Sequence, residues 1–492
     1  MLGQKGMRRR GFRLMIVSFI LTISFMLYLN KFQYSIASFS SSSIIAHGPS
    51  PICPKLFMSD NVAVVLRTGA TESQEKLPVH FDTVMSCVSD FIVYSDYNET
   101  IQGCQTHDVL SDVDDTIKDT ATEFALYKHL HTHGREGLSY KTMYGSGPSG
   151  AEENAGWKLD KWKFLPMVDR ALQDRPNATW FVFIEGDTYM LWQNMLAYLA
   201  KFDAAEPHYL GKHMYINNIL FGHGGSGFVL SRRAAEKVSH HWRQHLNEYN
   251  QLTQKEWAGD AILGKALKDA GVDMFWAFPH LQGDSLTTID WNVTKLEREP
   301  WCYAPTTFHH MNEAEFRQLW HFERQWLAKW GPGGGPAPRF RDIFKGLVLP
   351  KLRPEIKDWD NLSSGREYSD AVLANWSDEQ KTSLHQSERE AHFSFQHCRS
   401  ACESKPTCLQ FSFNNGVCFT SDELKLGHAV DSSCLEYSNA AGKCTKSSKA
   451  KVDATAPGKA GIASGWIMSR VAKYVSDLDQ SCQNKGEKDW VI

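Results

Sequence analysis

The stretch that decides the fold runs from Thr179 to Tyr189 and reads TWFVFI-EGDTY. The six residues Thr179–Ile184 are almost all apolar or β-branched, which is typical of a strand buried on both faces. The strand runs directly into Glu185-Gly186-Asp187, so two carboxylates would lie at its carboxyl end. Because open α/β sheets bind their ligands at this edge, the triplet is a candidate functional site.

Two further apolar runs, Val62–Leu66 (VAVVL) and Phe91–Tyr94 (FIVY), predict short buried strands earlier in the chain. Helical patterns follow at about 116–132, 158–174, 190–202, 232–247 and 259–270. Strands that alternate with helices predict an α/β fold with a mostly parallel sheet.

The acidic triplet has two interpretations. Carboxylate oxygens suit Mg²⁺ or Mn²⁺, ions that proteins usually share with substrate phosphates. The alternative is a plain strand-ending turn with surface acids. A second acidic cluster, Asp112, Asp114 and Asp115, superficially resembles the motif of aspartyl-phosphate phosphatases. Its preceding residues are mostly polar, so it predicts instead a solvated helix start.

The N-terminus predicts a membrane anchor. Leu14–Leu29 is an almost unbroken apolar run of 16 residues, preceded by five basic residues. The positive cluster should stay cytoplasmic, which places the rest of the chain in the lumen. A cleaved signal peptide is the alternative. Five Asn-x-Ser/Thr sequons agree with a lumenal location, at Asn98, Asn177, Asn292, Asn361 and Asn375. The net charge of −3 gives no case for a nucleic-acid partner.

The C-terminal part of the chain is rich in cysteine. Six of the 11 cysteines fall between Cys398 and Cys444, which predicts a disulfide framework whose pairing stays open. The segment Gly331–Pro338 (GPGGGPAP) predicts a linker ahead of this region. Because few contacts usually cross a linker, the α/β domain should fold without the residues beyond it.

Several motifs now combine. EGDTY is followed by Gly222–Ser231 (GHGGSGFVLS), Gly259–Gly264 (GDAILG) and Thr307–His310 (TFHH). This order resembles glycosyltransferase family 31, particularly its core-1 β1,3-galactosyltransferase and Fringe branch, over about residues 60–315. The resemblance implies a type II Golgi membrane protein with a GT-A fold, which uses Mn²⁺ and a UDP-sugar donor and inverts the anomeric centre.

Residue by residue, the resemblance implies the following roles. Asp187, the last acid of the triplet, and His309 would bind the metal, with His310 as the fallback for His309. Asp260 would be the catalytic base, with Glu256 the next candidate. Donor-binding residues would be Arg67, Thr68, Glu185, Gly224 and Gly225. The sequence departs from the family pattern at Glu185, usually Asp there, and at Gly186, often Asp there.

The Cys-rich segment resembles a PAN/apple-like module, which implies binding of protein or carbohydrate; a staple without a ligand is the alternative. The expected organisation is a cytoplasmic tail (1–13), an anchor (14–30), a stem (31–55), a GT-A domain (56–330), a connecting segment (331–384), the Cys-rich module (385–445) and a C-terminal tail (446–492). The expected function is transfer of a hexose or N-acetylhexosamine to a glycan or glycoprotein in β linkage. The alternative function is an inactive lumenal glycan-binding or chaperone-like protein on the same scaffold.

Overall fold

A computed structural model describes Cys53 and residues 58–138, 154–330, 335–431, 434–438, 443–447, 461–484 and 488–492. The predicted cytoplasmic tail, the predicted anchor and nearly all of the predicted stem lie outside these residues. Within the described ranges, no helix is both long and apolar enough to cross a membrane. Pro51–Ile492 forms one compact unit.

The first part of the unit is an α/β structure, as the sequence predicts. Its strands are β1 (Val62–Arg67), β2 (Phe91–Ser95), β3 (Thr100–Ile101), β4 (Cys104–Asp108), β5 (Trp180–Glu185), β6 (Tyr189–Met190), β7 (Tyr209–Gly211), β8 (His213–Ile216), β9 (Ile219–Gly222), β10 (Phe228–Ser231), β11 (Met274–Trp276) and β12 (Thr307–Phe308). Its helices are α1 (Ser73–Asp82), α2 (Asp115–Thr120), α3 (Phe124–His133), α4 (Ala155–Asp160), α5 (Phe164–Asp174), α6 (Trp192–Leu199), α7 (Arg232–Gln244), α8 (Leu246–Lys255), α9 (Gly259–Asp269) and α10 (Glu313–Trp330).

A large sheet organises these elements. Among the described residues it has eight strands in the order β11-β7-β10-β5-β1-β2-β4-β3. The central strands β5, β1, β2 and β4 are parallel, while β10 runs antiparallel between β5 and β7. The carboxyl ends of β1 and β5 therefore meet at one edge of the sheet.

The central strands are buried on both faces, which explains their unbroken apolar sequence. Along β5, Phe181 and Phe183 pack into the core on one face, and Val182 and Ile184 pack into the core on the other. Each such side chain contributes about 1.5–3 kcal/mol when it is fully buried. The strand that the sequence predicts is thus fixed in place from above and below.

The second part of the unit is a smaller, antiparallel structure. Its strands are β13 (Ile356–Lys357), β14 (Trp359–Asp360), β15 (Arg366–Tyr368), β16 (Gln410–Asn414), β17 (Val417–Ser421), β18 (His428–Ala429), β19 (Cys434–Ser438), β20 (Lys443–Ser447) and β21 (Ile462–Trp466). Its helices are α11 (Phe340–Ile343), α12 (Asp370–Ala374), α13 (Asp378–Ser383), α14 (Gln386–Arg389), α15 (Phe395–Ser404) and α16 (Met468–Asn484).

Disulfides tie this second part together, as the cysteine spacing predicts. A five-stranded sheet has the order β13-β21-β16-β17-β15, and the Cys398–Cys418 bond joins α15 to β17. A second bond, Cys402–Cys408, closes the loop between α15 and β16. The resemblance of this region to a PAN/apple module stays a prediction, as do the domain boundaries.

The two parts share one hydrophobic core, which does not support the expected independence of the α/β domain. Tyr189 and Phe308 of the first part belong to the same buried cluster as Leu424 and Trp466 of the second. The Cys302–Cys482 disulfide links α16 to the first part. The segments on either side of Gly331–Pro338 pack into the same core: Phe316 lies before it and Phe340 after it.

Contacts from the far C-terminal side extend this shared core. Within the predicted tail, Ile462–Trp466 forms β21, and residues 488–492 lie against the first part. The Trp490 ring stacks on Tyr198 with centroids 5.3 Å apart, and the Val491 N–H donates to His280 Nε2 at 2.9 Å. This segment is therefore part of the fold.

One of the five sequons is inaccessible. The side chain of Asn361 is fully buried, and its Nδ2 donates to the carbonyl oxygens of Phe411 (3.1 Å) and Gly465 (3.3 Å). The amide nitrogen that would carry a glycan is therefore engaged inside the protein. Asn98, Asn177 and Asn375 are exposed.

Candidate active site

The carboxyl ends of β1 and β5 bring the first site residues together. Arg67 and Glu185 are register partners in the parallel pair, and a terminal nitrogen of Arg67 donates to Glu185. Another Arg67 nitrogen pairs with Asp160 of α4, and the guanidinium lies 4.1 Å from the ring centre of Phe164. Burial alone would raise the pKa of Glu185, but the Arg67 charge holds it below its usual range.

A small antiparallel pair brings the predicted metal ligands together. Strand β6 follows Asp187, strand β12 precedes His309, and Tyr189 pairs with Phe308. Because the strands run in opposite directions, Asp187 and His309 lie at the same end of the pair. His309 Nε2 is 3.2 Å from Asp187 Oδ1, and His310 Nδ1 is 3.8 Å from Asp187 Oδ2.

These three side chains fit a divalent metal ion. One possible ligand atom from each lies within 4.8 Å of the others, and two imidazoles with one carboxylate suit first-row divalent metals. His309 Nδ1 is buried and makes no hydrogen bond. His310 has a φ of 55°, a left-handed backbone conformation that costs a β-substituted residue about 1–2 kcal/mol.

The charges within the cluster are strongly coupled. Burial opposes the ionised form of Asp187, but hydrogen bonds and charges from the two histidines and Lys76 hold its pKa well below the usual value. For His309, burial lowers the pKa, yet the Asp187 carboxylate outweighs it and the pKa is raised. Asp187 is therefore ionised.

Gly225 lies directly against the imidazole ring of His309. A Cβ atom at this position would lie 2.1 Å from His309 Cε1 and 2.4 Å from Nε2. Thr188 fixes the glycine from the other side, since its hydroxyl donates to the Gly225 carbonyl at 2.7 Å. The glycine-rich turn thus supplies space for the imidazole, in addition to any contact with a substrate.

Asp260, the predicted base, is the second residue of helix α9, on another wall of the same pocket. Its Oδ2 accepts from the Gly224 N–H at 2.8 Å, and its Oδ1 accepts from the Ala261 N–H at 2.9 Å. Burial raises the pKa of Asp260 to about 6; the Glu185 charge adds to the rise, and the Gly224 N–H and Arg67 oppose it. A carboxylate with this pKa can accept a proton near neutral pH.

Two expected donor contacts have other partners. Thr68 is almost fully buried, and its carbonyl accepts from Lys163 Nζ at 2.7 Å. The Gly224 N–H is directed at Asp260, as described above. Glu256, the reserve base, accepts a hydrogen bond from Lys161 through its backbone carbonyl.

The structure adds two residues that the sequence did not reveal. Lys76 Nζ lies 3.1 Å from Asp187 Oδ2, and the Lys76 side chain covers Gly186, where an added Cβ would come within 3.2 Å of it. His80 Nε2–H donates to the Gly186 carbonyl at 2.9 Å, and burial lowers the His80 pKa to about 4. Both residues lie on α1, whose sequence SQEKLPVHFD carries no recognisable motif.

The competing acidic cluster has a structural role, as predicted. Asp114 caps helix α2, and its carboxylate accepts from the Thr116 N–H at 2.7 Å. Asp112 and Asp115 have exposed side chains.

One cavity of about 350 Å³ collects most of the site residues, but Thr68, Gly224 and Glu256 do not line it. Its lining includes Asp187, His309 and His310 as well as Asp260. Trp157 and Trp257 belong to the same lining. The cavity therefore combines a candidate metal cluster, a carboxylate with a raised pKa and two tryptophan rings.

Comparison with known proteins supports an enzymatic interpretation of this cavity. Residues 58–282 match the family model described as Fringe-like. The chain is 27% identical over 165 residues to the glycoprotein-N-acetylgalactosamine 3-beta-galactosyltransferase 1 of Xenopus laevis. That alignment covers 33% of this chain and 40% of the relative, so the match spans less than half of either protein. Residues 58–282 are therefore similar to a Fringe-like domain, and 165 residues of the chain are similar to part of a galactosyltransferase.

Proposed function

We propose that this chain is an inverting GT-A-type glycosyltransferase that moves a hexose or N-acetylhexosamine from a UDP-sugar to a glycan or glycoprotein in β linkage. One observation carries the proposal: the Asp187–His309–His310 cluster and Asp260 line the same cavity. The first group suits a nucleotide-sugar diphosphate with its metal ion, and the second suits proton removal from an acceptor hydroxyl. The printed name of the Xenopus relative is consistent with such a reaction.

In this proposal Asp187, His309 and His310 hold Mn²⁺. The bound ion would act as a Lewis acid that neutralises the charge of the UDP leaving group. Lys76 lines the same cavity and adds a positive charge beside the diphosphate. Arg67 positions Glu185 at the strand end, since both of its terminal nitrogens are engaged by carboxylates.

Asp260 acts as the general base. The N–H groups of Gly224 and Ala261 orient its carboxylate, which takes the proton of the acceptor hydroxyl as that oxygen attacks the anomeric carbon. The new glycosidic bond forms on the face opposite the departing UDP. Such an in-line displacement converts an α-linked donor into a β-linked product.

For the cellular location, we propose what the N-terminal sequence predicts. The protein is anchored in the Golgi membrane by a single type II span, and its catalytic part lies in the lumen. Protease added outside sealed vesicles should leave the residues beyond about residue 30 intact. Digestion of the body from the cytoplasmic side would contradict this orientation.

The proposal is tested by substituting the two carboxylates, Asp187 and Asp260, one at a time. Asp187→Asn should abolish Mn²⁺-dependent binding of UDP, which calorimetry measures. Asp260→Asn should keep that binding and lower transfer by about 10²–10⁴-fold. Asp112→Asn is the matched control, because it removes the charge of a carboxylate whose side chain is 82% exposed.

Three results would contradict the proposal. Tight binding of UDP and Mn²⁺ by Asp187→Asn would mean that Glu185-Gly186-Asp187 is only a turn and does not bind the metal. Full transfer by Asp260→Asn would require another base, with Glu256 the next to test. Turnover of no UDP-sugar by the folded parent, with or without Mn²⁺, would favour a lumenal glycan-binding or chaperone-like protein.

A further inference from the structure

A pair of tryptophans lines the cavity beside the proposed base. The side chain of Trp257 is 59% exposed, whereas Trp180, Trp192, Trp301 and Trp466 are fully buried. The rings of Trp157 and Trp257 are stacked, with centroids 6.0 Å apart and an angle of 24° between their planes. Single exposed apolar residues are ordinary, but this indole is backed by a second ring and presents its outer aromatic face to a charged cavity.

Both tryptophans are held by elements of the active site. Trp257 precedes Asp260 by three positions, in the segment that leads into α9. Trp157 lies on α4, whose last residue, Asp160, is paired with Arg67. The first turn of α4 is fixed by Asn154, which accepts from the N–H groups of Gly156 (2.9 Å) and Trp157 (3.3 Å). The indole pair is therefore attached to the wall that carries the base.

The position of the base identifies the occupant. A general base must lie next to the hydroxyl from which it takes the proton, so the part of the cavity near Asp260 belongs to the acceptor. The UDP moiety is drawn to the metal cluster and to Lys76, on the β5–β6 side. An indole face carries negative charge density and attracts the weakly positive C–H groups of an apolar surface.

We infer that Trp157 and Trp257 form a platform for the pyranose ring of the acceptor. This inference rests on the proposed function and adds which side chains of this chain would hold the acceptor sugar. One face of the pyranose, made of C–H groups, packs on the outer face of Trp257, and Trp157 supports that ring from behind. Its hydroxyls stay in the polar part of the cavity, where one of them reaches Asp260.

The test is a comparison of exposed tryptophans. Trp257→Ala should raise the KM for the acceptor by about tenfold or more, because the acceptor sugar loses its stacking contact. The KM for the UDP-sugar should stay unchanged, because the donor does not contact this ring. Trp257→Phe, which keeps an aromatic face, should recover part of the effect. Trp330→Ala is the matched control: Trp330 is 48% exposed on α10 and does not line the cavity.

Direct binding is measured with the parent and with the same variants. Methyl glycosides of the common hexoses and N-acetylhexosamines are added in the presence of UDP and Mn²⁺, and tryptophan fluorescence is recorded. At least one glycoside should change the parent's fluorescence, and Trp257→Ala should lose that response. Methyl glycosides are used because an aromatic aglycone could stack on the indoles itself.

Several outcomes would overturn the platform. An unchanged acceptor KM in Trp257→Ala would do so, as would a rise in the UDP-sugar KM alone, which would assign the indoles to the uracil. Transfer to Ser/Thr peptides without any glycoside binding would assign the surface to protein. Calorimetry of UDP with Mn²⁺ tests the proposed function separately, so its failure is distinguishable from failure of the platform.

Discussion

Replacement of Gly225 by alanine tests the metal cluster, because Gly225 leaves no space for a side chain beside His309. The added Cβ would lie 2.1 Å from His309 Cε1, whereas carbon atoms in contact are about 3.5–4.0 Å apart. The imidazole would therefore have to move by roughly 1.4 Å or more to restore normal contact. The backbone cannot relieve the overlap freely, because Thr188 holds the Gly225 carbonyl.

The expected cost follows from this displacement. A misplacement of about 1 Å at a reacting centre can lower the rate by about 10²-fold, so kcat/KM of Gly225→Ala should fall by about that factor. Overpacking of this kind also lowers the free energy of unfolding by about 1–3 kcal/mol. The loss of function should exceed what the loss of stability explains, since His309 is a proposed ligand.

Gly186→Ala is the matched comparison within the same site. Its added Cβ would come within 3.2 Å of Lys76 Cβ and Cδ, a much milder overlap than the 2.1 Å at Gly225, so its effect should be smaller. Calorimetry of UDP with Mn²⁺ and thermal unfolding would be measured for both variants. If Gly225→Ala bound UDP and Mn²⁺ as tightly as the parent, His309 would not be a ligand in the position described here.

Three further predictions concern other parts of the molecule. Because the Asp260 pKa is about 6 and the base must be ionised, kcat/KM for the acceptor should be constant above about pH 7 and fall about tenfold per unit below pH 6; a flat profile down to pH 5 would exclude Asp260. A chain cut after residue 330 should be insoluble, because the shared core loses several side chains worth about 1.5–3 kcal/mol each; a soluble product with a cooperative melting transition would show that the first part folds alone. Glycopeptide mass spectrometry should find glycans at exposed sequons such as Asn177 and none at Asn361; an occupied Asn361 would mean that glycosylation precedes folding there.

The sequence predicts those parts of the site in which the functional residues directly follow the strand that positions them. The β5 run and the triplet after it are contiguous, so their pattern predicts both a strand and the carboxylates at its end. His309 could be placed only through the family resemblance, because its approach to Asp187 depends on the β6–β12 pairing. Asp260 likewise reaches the cavity through the packing of α9.

Other features depend on long-range packing and carry no local signal. Lys76 is one lysine among many in the sequence, and only the fold brings its ammonium group beside Asp187. The Cys302–Cys482 bond joins positions that no spacing rule connects. The Gly-Pro composition of residues 331–338 likewise contains no information about what later segments pack against, such as Leu424 and Trp466 in the shared core.

The contact between Val491 and His280 has a consequence for biosynthesis. The two residues are 211 positions apart, and ribosomes add about 5–20 residues per second, so roughly 10–40 s separate their synthesis. During that interval Trp490 has not yet been synthesised, so His280 and Tyr198 lack the ring that later packs against them. A nascent chain of this protein therefore exposes part of its first core throughout translation of the second part, and that surface is a natural substrate for chaperones.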